Sequence, residues 1–219
     1  YAVRREVWHV GGRPIDLTWP EDMDALLDSW QTRERFARNE YMPYWAQPWP
    51  AGVLLAEHVL VHEPGKGRRA IELGCGIGLV SVAAALAGWR VTASDYDEDA
   101  LAFARLNAER NGVSLDGTEW IDFIEQPPRR QYDCVLAADL LYERRLSKPV
   151  AYWIALALAP GGYALASDPN RSAAAEFPEV LAACGLVADK RDVATTGPAG
   201  RITRGRIWRI SRQPGGIPS

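Results

Sequence analysis

Few of the residues that mark specialised protein classes are present. The 219 residues include only three cysteines, Cys75, Cys134 and Cys184, far apart and odd in number. They make neither a disulfide framework nor a zinc-ligand pattern, and they suit a reducing, cytoplasmic setting. Neither sign of charge dominates: 25 Lys and Arg against 28 Asp and Glu leave a net −3. That field does not favour a nucleic-acid partner. No apolar run reaches the roughly 18–20 residues of a membrane span, so no membrane partner is expected. The opening Tyr1-Ala2-Val3-Arg4-Arg5-Glu6 lacks the apolar core of a signal peptide. It also lacks an initiator Met, so further residues are expected ahead of Tyr1. Internal repeats and low-complexity tracts are absent.

Tryptophan, by contrast, is abundant. Five of the nine (Trp8, Trp19, Trp30, Trp45, Trp49) fall within the first fifty residues. This imbalance points to an N-terminal segment that packs on the main domain or lines a site. The length fits one domain with an extension. The expected division is an extension over 1–48, a main domain over 49–212 and a frayed tail over 213–219.

Hydrophobic periodicity and punctuation predict the elements. Two short strands flank Gly11-Gly12, and a helix is expected over 20–38 with Pro20 at its first turn. Residues 41–50 hold three prolines and four aromatics, which excludes a regular helix or central strand. A helix over 50–62 follows. Strands are then expected near 69–74, 90–95, 114–121, 132–138 and 162–167. Helices are expected near 79–87, 97–111, 144–158 and 172–184. Two late strands, 186–194 and 202–210, have no helix between them and must form a hairpin. The expected fold is therefore α/β: a doubly wound, mostly parallel seven-stranded sheet with a C-terminal antiparallel hairpin and an N-terminal α/β extension.

The most informative stretch is Glu72-Leu73-Gly74-Cys75-Gly76-Ile77-Gly78, a strand ending in three glycines at alternate positions. Glycines there let backbone approach a ligand. The next strand ends at Asp95, an acid able to accept two hydrogen bonds from a ribose diol. Together they imply a nucleoside-containing cofactor. A dinucleotide fingerprint needs G-x-G-x-x-G, and this spacing is G-x-G-x-G. It resembles motif I of the class I S-adenosylmethionine-dependent methyltransferases. The expected sheet resembles that family too. The resemblance implies that Glu72, Gly74, Cys75, Gly76, Gly78 and Asp95 bind S-adenosylmethionine. It also implies S-adenosylhomocysteine as product, and no metal is expected. Tyr96 offers a π-face for the adenine. Trp120 and Asp122 follow the third strand, where this family contacts the adenine edge, although Trp120 reads equally as core. Trp49-Pro50 at a helix start offers backbone N–H groups to the cofactor carboxylate.

The fourth strand ends at Ala138-Asp139-Leu140-Leu141-Tyr142. Asp139-x-x-Tyr142 resembles the D-x-x-Y motif of the non-SET protein lysine methyltransferases. Pro43-Tyr44-Trp45-Ala46 with Trp49-Pro50 resembles their aromatic-proline segment. Asp168-Pro169-Asn170-Arg171 is similar to the D-P-G-R segment of the branch acting on the electron transfer flavoprotein β subunit, with Asn170 in place of glycine. The resemblance implies a protein substrate presenting a lysine, with Asp139 and Tyr142 catalytic and Ala138 beside the cofactor. Tyr44, Trp45, Asp139 and Tyr142 would line the substrate pocket. Other readings are a cap for Asp139, a hydrophobic plug for Trp45 and Trp49, a small-molecule N-methyltransferase, and a non-catalytic cofactor-binding module.

A neutral amine is required for such a transfer. Free lysine has a pKa of about 10.4, so the neutral form costs roughly 4–5 kcal/mol at pH 7. An apolar pocket lowers that cost. Asp139 opposes it, so its expected task is to align the amine and to stabilise the cationic product. Tyr142, Tyr44 and Trp45 would attract the cation. Elsewhere, His58 and His62 lack a third ligand, and the arginines between Arg201 and Arg212 are read as guarding an edge strand.

Overall fold

The computed structural model describes residues 1–39, 41–197 and 200–213. The order is β1 (Val3–Val10), β2 (Arg13–Pro20), α1 (Met23–Leu27), α2 (Trp30–Asn39) and, after a 3-10 turn at Tyr44–Ala46, α3 (Pro50–His62). Then come β3 (Arg69–Leu73), α4 (Leu79–Leu86), β4 (Arg90–Asp95), α5 (Glu98–Arg110), β5 (Gly117–Trp120), β6 (Tyr132–Ala138) and α6 (Arg144–Ala157). The chain finishes with β7 (Leu158–Asp168), α7 (Phe177–Ala183), β8 (Leu186–Thr196) and β9 (Ile202–Arg212). The expected tail, apart from Gln213, and Pro198-Ala199 of the last turn lie outside the described residues.

Seven strands form one sheet in the order β5-β4-β3-β6-β7-β9-β8. The first five pair in parallel, while β9 runs antiparallel to both β7 and β8. The doubly wound sheet and its terminal hairpin are therefore as expected. Central β6 shows why both faces are covered. Cys134 and Leu136 belong to the core under α3, α4 and α5, whereas Val135 and Ala137 belong to the core under α6 and α7. Period-two alternation in a strand that is apolar apart from Asp133 sends side chains into two cores.

The strand order reverses at β3 and β6, since β4 and β5 lie on one side and β6 and β7 on the other. Crevices at such reversals, beyond the strands' carboxyl ends, are where open sheets bind ligands.

The N-terminal hairpin packs onto the α3–α5 face through Trp8, Val10, Ile15, Leu17 and Trp19. Asn107 of α5 clamps it. Its amide accepts from Thr18 N–H at 2.8 Å, and Nδ2 donates to the Thr18 carbonyl at 2.9 Å and the Ile77 carbonyl at 2.8 Å.

Several elements differ from expectation. Pro20 ends β2 opposite Val3 instead of starting a helix. The helix over 20–38 is two helices. Asp22 caps the first by accepting from Ala25 N–H, and Ser29 accepts from Thr32 N–H in the second. Asp and Ser compete locally for backbone donors, which starts helices instead of continuing them. Trp30 is exposed, so it does not extend a buried stripe. Strand β5 is shorter than 114–121. The helix over 172–184 is a 3-10 turn at Ser172–Ala174 and then α7, because Pro178 belongs in a first turn. Strand β9 is interior and β8 is the edge. Three of the four β9 arginines have partners: Arg206 with Asp168, Arg209 with Glu63, and Arg212 with the Leu158 carbonyl.

Candidate active site

Beyond the tips of β3, β4 and β6 lies a cavity of about 460 Å³. Its lining includes Glu72, Gly74, Cys75, Gly76, Asp95 and Tyr96 together with Tyr44, Trp45, Trp49, Ala138, Asp139 and Tyr142. The sequence-marked residues thus converge, with three exceptions. Gly78, Trp120 and Asp122 do not line it. Trp120 is instead exposed on its surface strand. Asp122 accepts from Ile124 N–H at 3.0 Å and fixes a turn, and Phe123 takes the wall position expected of these two.

Each glycine of the loop meets a different constraint. All three have positive φ, which L side chains disfavour. A Cβ on Gly74 would stand 2.6 Å from Leu140 Cδ2, a side chain that can move. A Cβ on Gly76 would stand 3.3 Å from the Trp45 carbonyl, so this loop and the aromatic-proline segment nearly touch. A Cβ on Gly78 would stand 2.7 Å from Ala104 Cα, which is backbone of α5. Gly78 therefore serves helix packing.

Two buried acids lie behind the loop. Asp95 Oδ2 accepts from Gly76 N–H at 2.9 Å, and Oδ1 accepts from Asp97 N–H at 3.1 Å. Asp97 caps α5 by accepting from Asp99 N–H at 3.0 Å. Asp95 is thus already bonded through both oxygens, which keep lone pairs for a diol. Burial pushes its carboxyl up to about 6. Glu72 accepts from Ser81 Oγ at 2.5 Å. Burial pushes Glu72 up to about 8, with Asp95's charge adding to the rise and Ser81 opposing it.

Much of the remaining lining is aromatic. Tyr44 and Tyr142 pack edge to face with ring centroids 5.3 Å apart, and Tyr44 meets Trp49 at 6.0 Å. Trp45 borders the cavity, but its indole packs on Phe103 and donates to Tyr41 Oη at 3.2 Å. It is a buried support more than a cation-facing wall. Tyr96 stands edge-on to Tyr41 and reaches the Met42 carbonyl at 3.3 Å. Trp49 is the N-cap of α3 and Pro50 its first residue, so a helix N-terminus faces the cavity.

Asp139 has φ +57° and is buried. It does not cap α6, whose N-cap is Glu143. Arg171 instead holds both its oxygens, Nε to Oδ1 at 2.7 Å and Nη2 to Oδ2 at 3.1 Å. Composition and spacing gave Arg171 no role. The one signal was the 168–171 segment, in which Asn170 sits at φ +65°. Asn and Gly are the residues most at ease there, so the replacement keeps the turn that aims Arg171.

An open sheet with a glycine turn, a buried strand-end acid and a cavity at its reversal point defines a class I methyltransferase fold. The chain belongs to the methyltransferase domain family, whose model matches residues 39–216. It is 32% identical over 133 residues to the electron transfer flavoprotein β subunit lysine methyltransferase of Danio rerio, covering 59% of this chain and 51% of that protein. It is 35% identical over 109 residues to the ubiquinone biosynthesis O-methyltransferase of Marinobacter nauticus, covering 48% and 46%. The chain thus spans about half the length of the curated relatives it matches. Among solved structures, magnesium protoporphyrin IX methyltransferase from Synechocystis PCC 6803 with bound S-adenosylmethionine aligns with a TM-score of 0.59. It is 19% identical and covers 87% of this chain and 95% of that one. At that identity the likeness concerns the fold.

Proposed function

We propose that the protein is an S-adenosylmethionine-dependent methyltransferase acting on a lysine side chain of a protein. The observation that carries this reading is the single cavity that joins the glycine turn and Asp95 to Asp139, Tyr142 and Tyr44. Similarity to a lysine methyltransferase of Danio rerio supports the acceptor.

The cavity fits the cofactor on its own chemistry. Gly76 leaves room against Trp45, Asp95 suits a ribose diol, Glu72 suits a cationic group, and the α3 N-terminus suits a carboxylate. When bound, S-adenosylmethionine supplies a sulfonium methyl group that passes to a neutral amine as the carbon–sulfur bond breaks. The chain's own residues position the amine. Tyr44 and Tyr142 flank it with π-faces, and Asp139 accepts an N–H from it. Alignment contributes much of the rate and needs no protein nucleophile.

A second reading, a small-molecule methyltransferase, is favoured by the similarity to a ubiquinone biosynthesis O-methyltransferase. Labelled methyl transfer into a bacterial lysate, and into recombinant electron transfer flavoprotein β subunit, separates the two. Methyllysine in a protein band, lost in Asp139→Asn, supports the lysine reading. Label confined to the low-mass fraction supports the second. Cofactor binding without transfer would leave a non-catalytic module.

A further inference from the structure

The carboxylate that receives the amine in this reading does not stand alone. A carboxylate has about four lone-pair sites, and a bidentate guanidinium uses two. Arg171 therefore fills half of Asp139 and leaves two sites for an amine N–H. Its placement is built in. Asp168 Oδ1 accepts from Arg171 N–H at 2.7 Å, and Arg206 Nη2 donates to the Arg171 carbonyl at 3.3 Å. The Arg171 side chain is 34% exposed against 6% for Asp139, so the guanidinium lies on the solvent side of the pair.

We propose that Arg171 is a positioning residue that offsets the charge of Asp139, so that a bound lysine amine sheds its proton within the cavity. The proposal rests on the lysine-acceptor reading. A lone carboxylate beside an amine favours the ammonium, by one to several pKa units. A carboxylate already matched by a guanidinium does not, and burial then favours the neutral amine. The proton leaves to water at the cavity mouth, and no protein base is needed.

The surrounding groups leave this balance in place. Asp168 at the end of β7 and Arg206 of β9 form a second neutral pair, 3.2 Å apart. Glu143, beyond β6, is held by Arg145. Tyr44 comes from the N-terminal segment and Tyr142 from the turn after β6; burial pushes Tyr142 up to about 12. Glu72 belongs to β3 ahead of the glycine turn, and Asp95 is bonded to Gly76 of that turn. Among the described residues, Arg171 is the cation bonded to Asp139.

The test compares wild type with Arg171→Gln, which keeps a hydrogen-bond donor without charge, and Arg171→Lys, which keeps charge without the fork. Melting temperature and calorimetric cofactor affinity establish that each is folded. The acceptor probe is heat-treated bacterial protein, with total methyllysine measured after hydrolysis across pH 6 to 10. A second readout involves no turnover: calorimetric binding of n-butylamine with S-adenosylhomocysteine present. Arg171→Gln should move the rate midpoint up by about one pH unit, lower the pH 7 rate about tenfold, and recover by pH 10. It should bind n-butylammonium several-fold more tightly, and Arg171→Lys should restore the wild-type profile. An unmoved midpoint with a uniform loss at every pH, or unchanged n-butylamine affinity, overturns the proposal and leaves Arg171 a structural clamp. Wild type that forms no methyllysine overturns the lysine reading and this inference with it.

Discussion

Asp139 and Arg171 face each other across the tips of two adjacent parallel strands, joined by bonds of 2.7 and 3.1 Å. The pair makes Asp139 costly to replace in a way that depends on backbone as well as charge. At φ +57° an alanine is strained by about 1–2 kcal/mol, whereas glycine is not. Asp139→Gly should therefore melt above Asp139→Ala. Both should lose methyl transfer at least about 100-fold while keeping cofactor affinity within about threefold by calorimetry. A variant that lost the cofactor in parallel would move Asp139 to the cofactor side of the cavity.

The glycine loop should separate by position. Gly78→Ala meets α5 backbone at positive φ and should destabilise by about 2–5 kcal/mol in urea unfolding. Gly76→Ala should cost only about 1–2 kcal/mol of stability, yet weaken cofactor binding at least about tenfold, because the new Cβ narrows the gap to Trp45. If the two variants lost stability and affinity in the same proportion, the loop would be acting as one unit.

Glu72 sets a pH dependence. Its carboxyl rises from 4.5 to about 8 on folding, through burial first. A raised acid contributes stability that is complete below its unfolded value and is lost as pH climbs through the folded one. The ligand-free protein should accordingly lose melting temperature between pH 5 and pH 9, and Glu72→Gln should flatten the upper part of that slope. Binding a sulfonium beside Glu72 should release protons near pH 7, which calorimetry in buffers of different ionisation enthalpy detects. Identical slopes for wild type and Glu72→Gln would assign the dependence elsewhere.

Asn107→Ala leaves the Thr18 N–H, the Thr18 carbonyl and the Ile77 carbonyl without their partner. Buried orphans of this kind cost about 1–3 kcal/mol each. The variant should expose the first twenty residues to protease and loosen the glycine turn together. Hydrogen exchange that rose in only one of these segments would show that they are not coupled.

How much of this was legible from residues alone differs from place to place. The sheet was legible because β6 is apolar from Cys134 to Ala138 and the 72–79 stretch passes from a strand through a glycine turn to a helix start within a few residues. The convergence of Asp95 with Asp139 followed from where parallel strands end. The break at Asp28-Ser29 was hidden because local capping interrupts the helix expected over 20–38. Trp120 and Asp122 fall outside the cavity lining, and beyond β5 Phe123 holds the position in it. The Arg171 contact spans 32 positions. It depends on two left-handed residues, Asp139 and Asn170, which no periodicity marks.

The clamp at Asn107 also carries a consequence for how the chain is made. Thr18 precedes Asn107 by 89 positions, which at roughly 5–20 residues per second is about 4–18 s of synthesis. During that interval the N-terminal hairpin has left the ribosome with Trp8 and Trp19 but without the surface on which they are buried. Its local pairing can form at once, yet its seat is complete only with α5. Slowing translation between these points should lengthen the exposure of two indoles, and a nascent-chain chaperone would have its opportunity there.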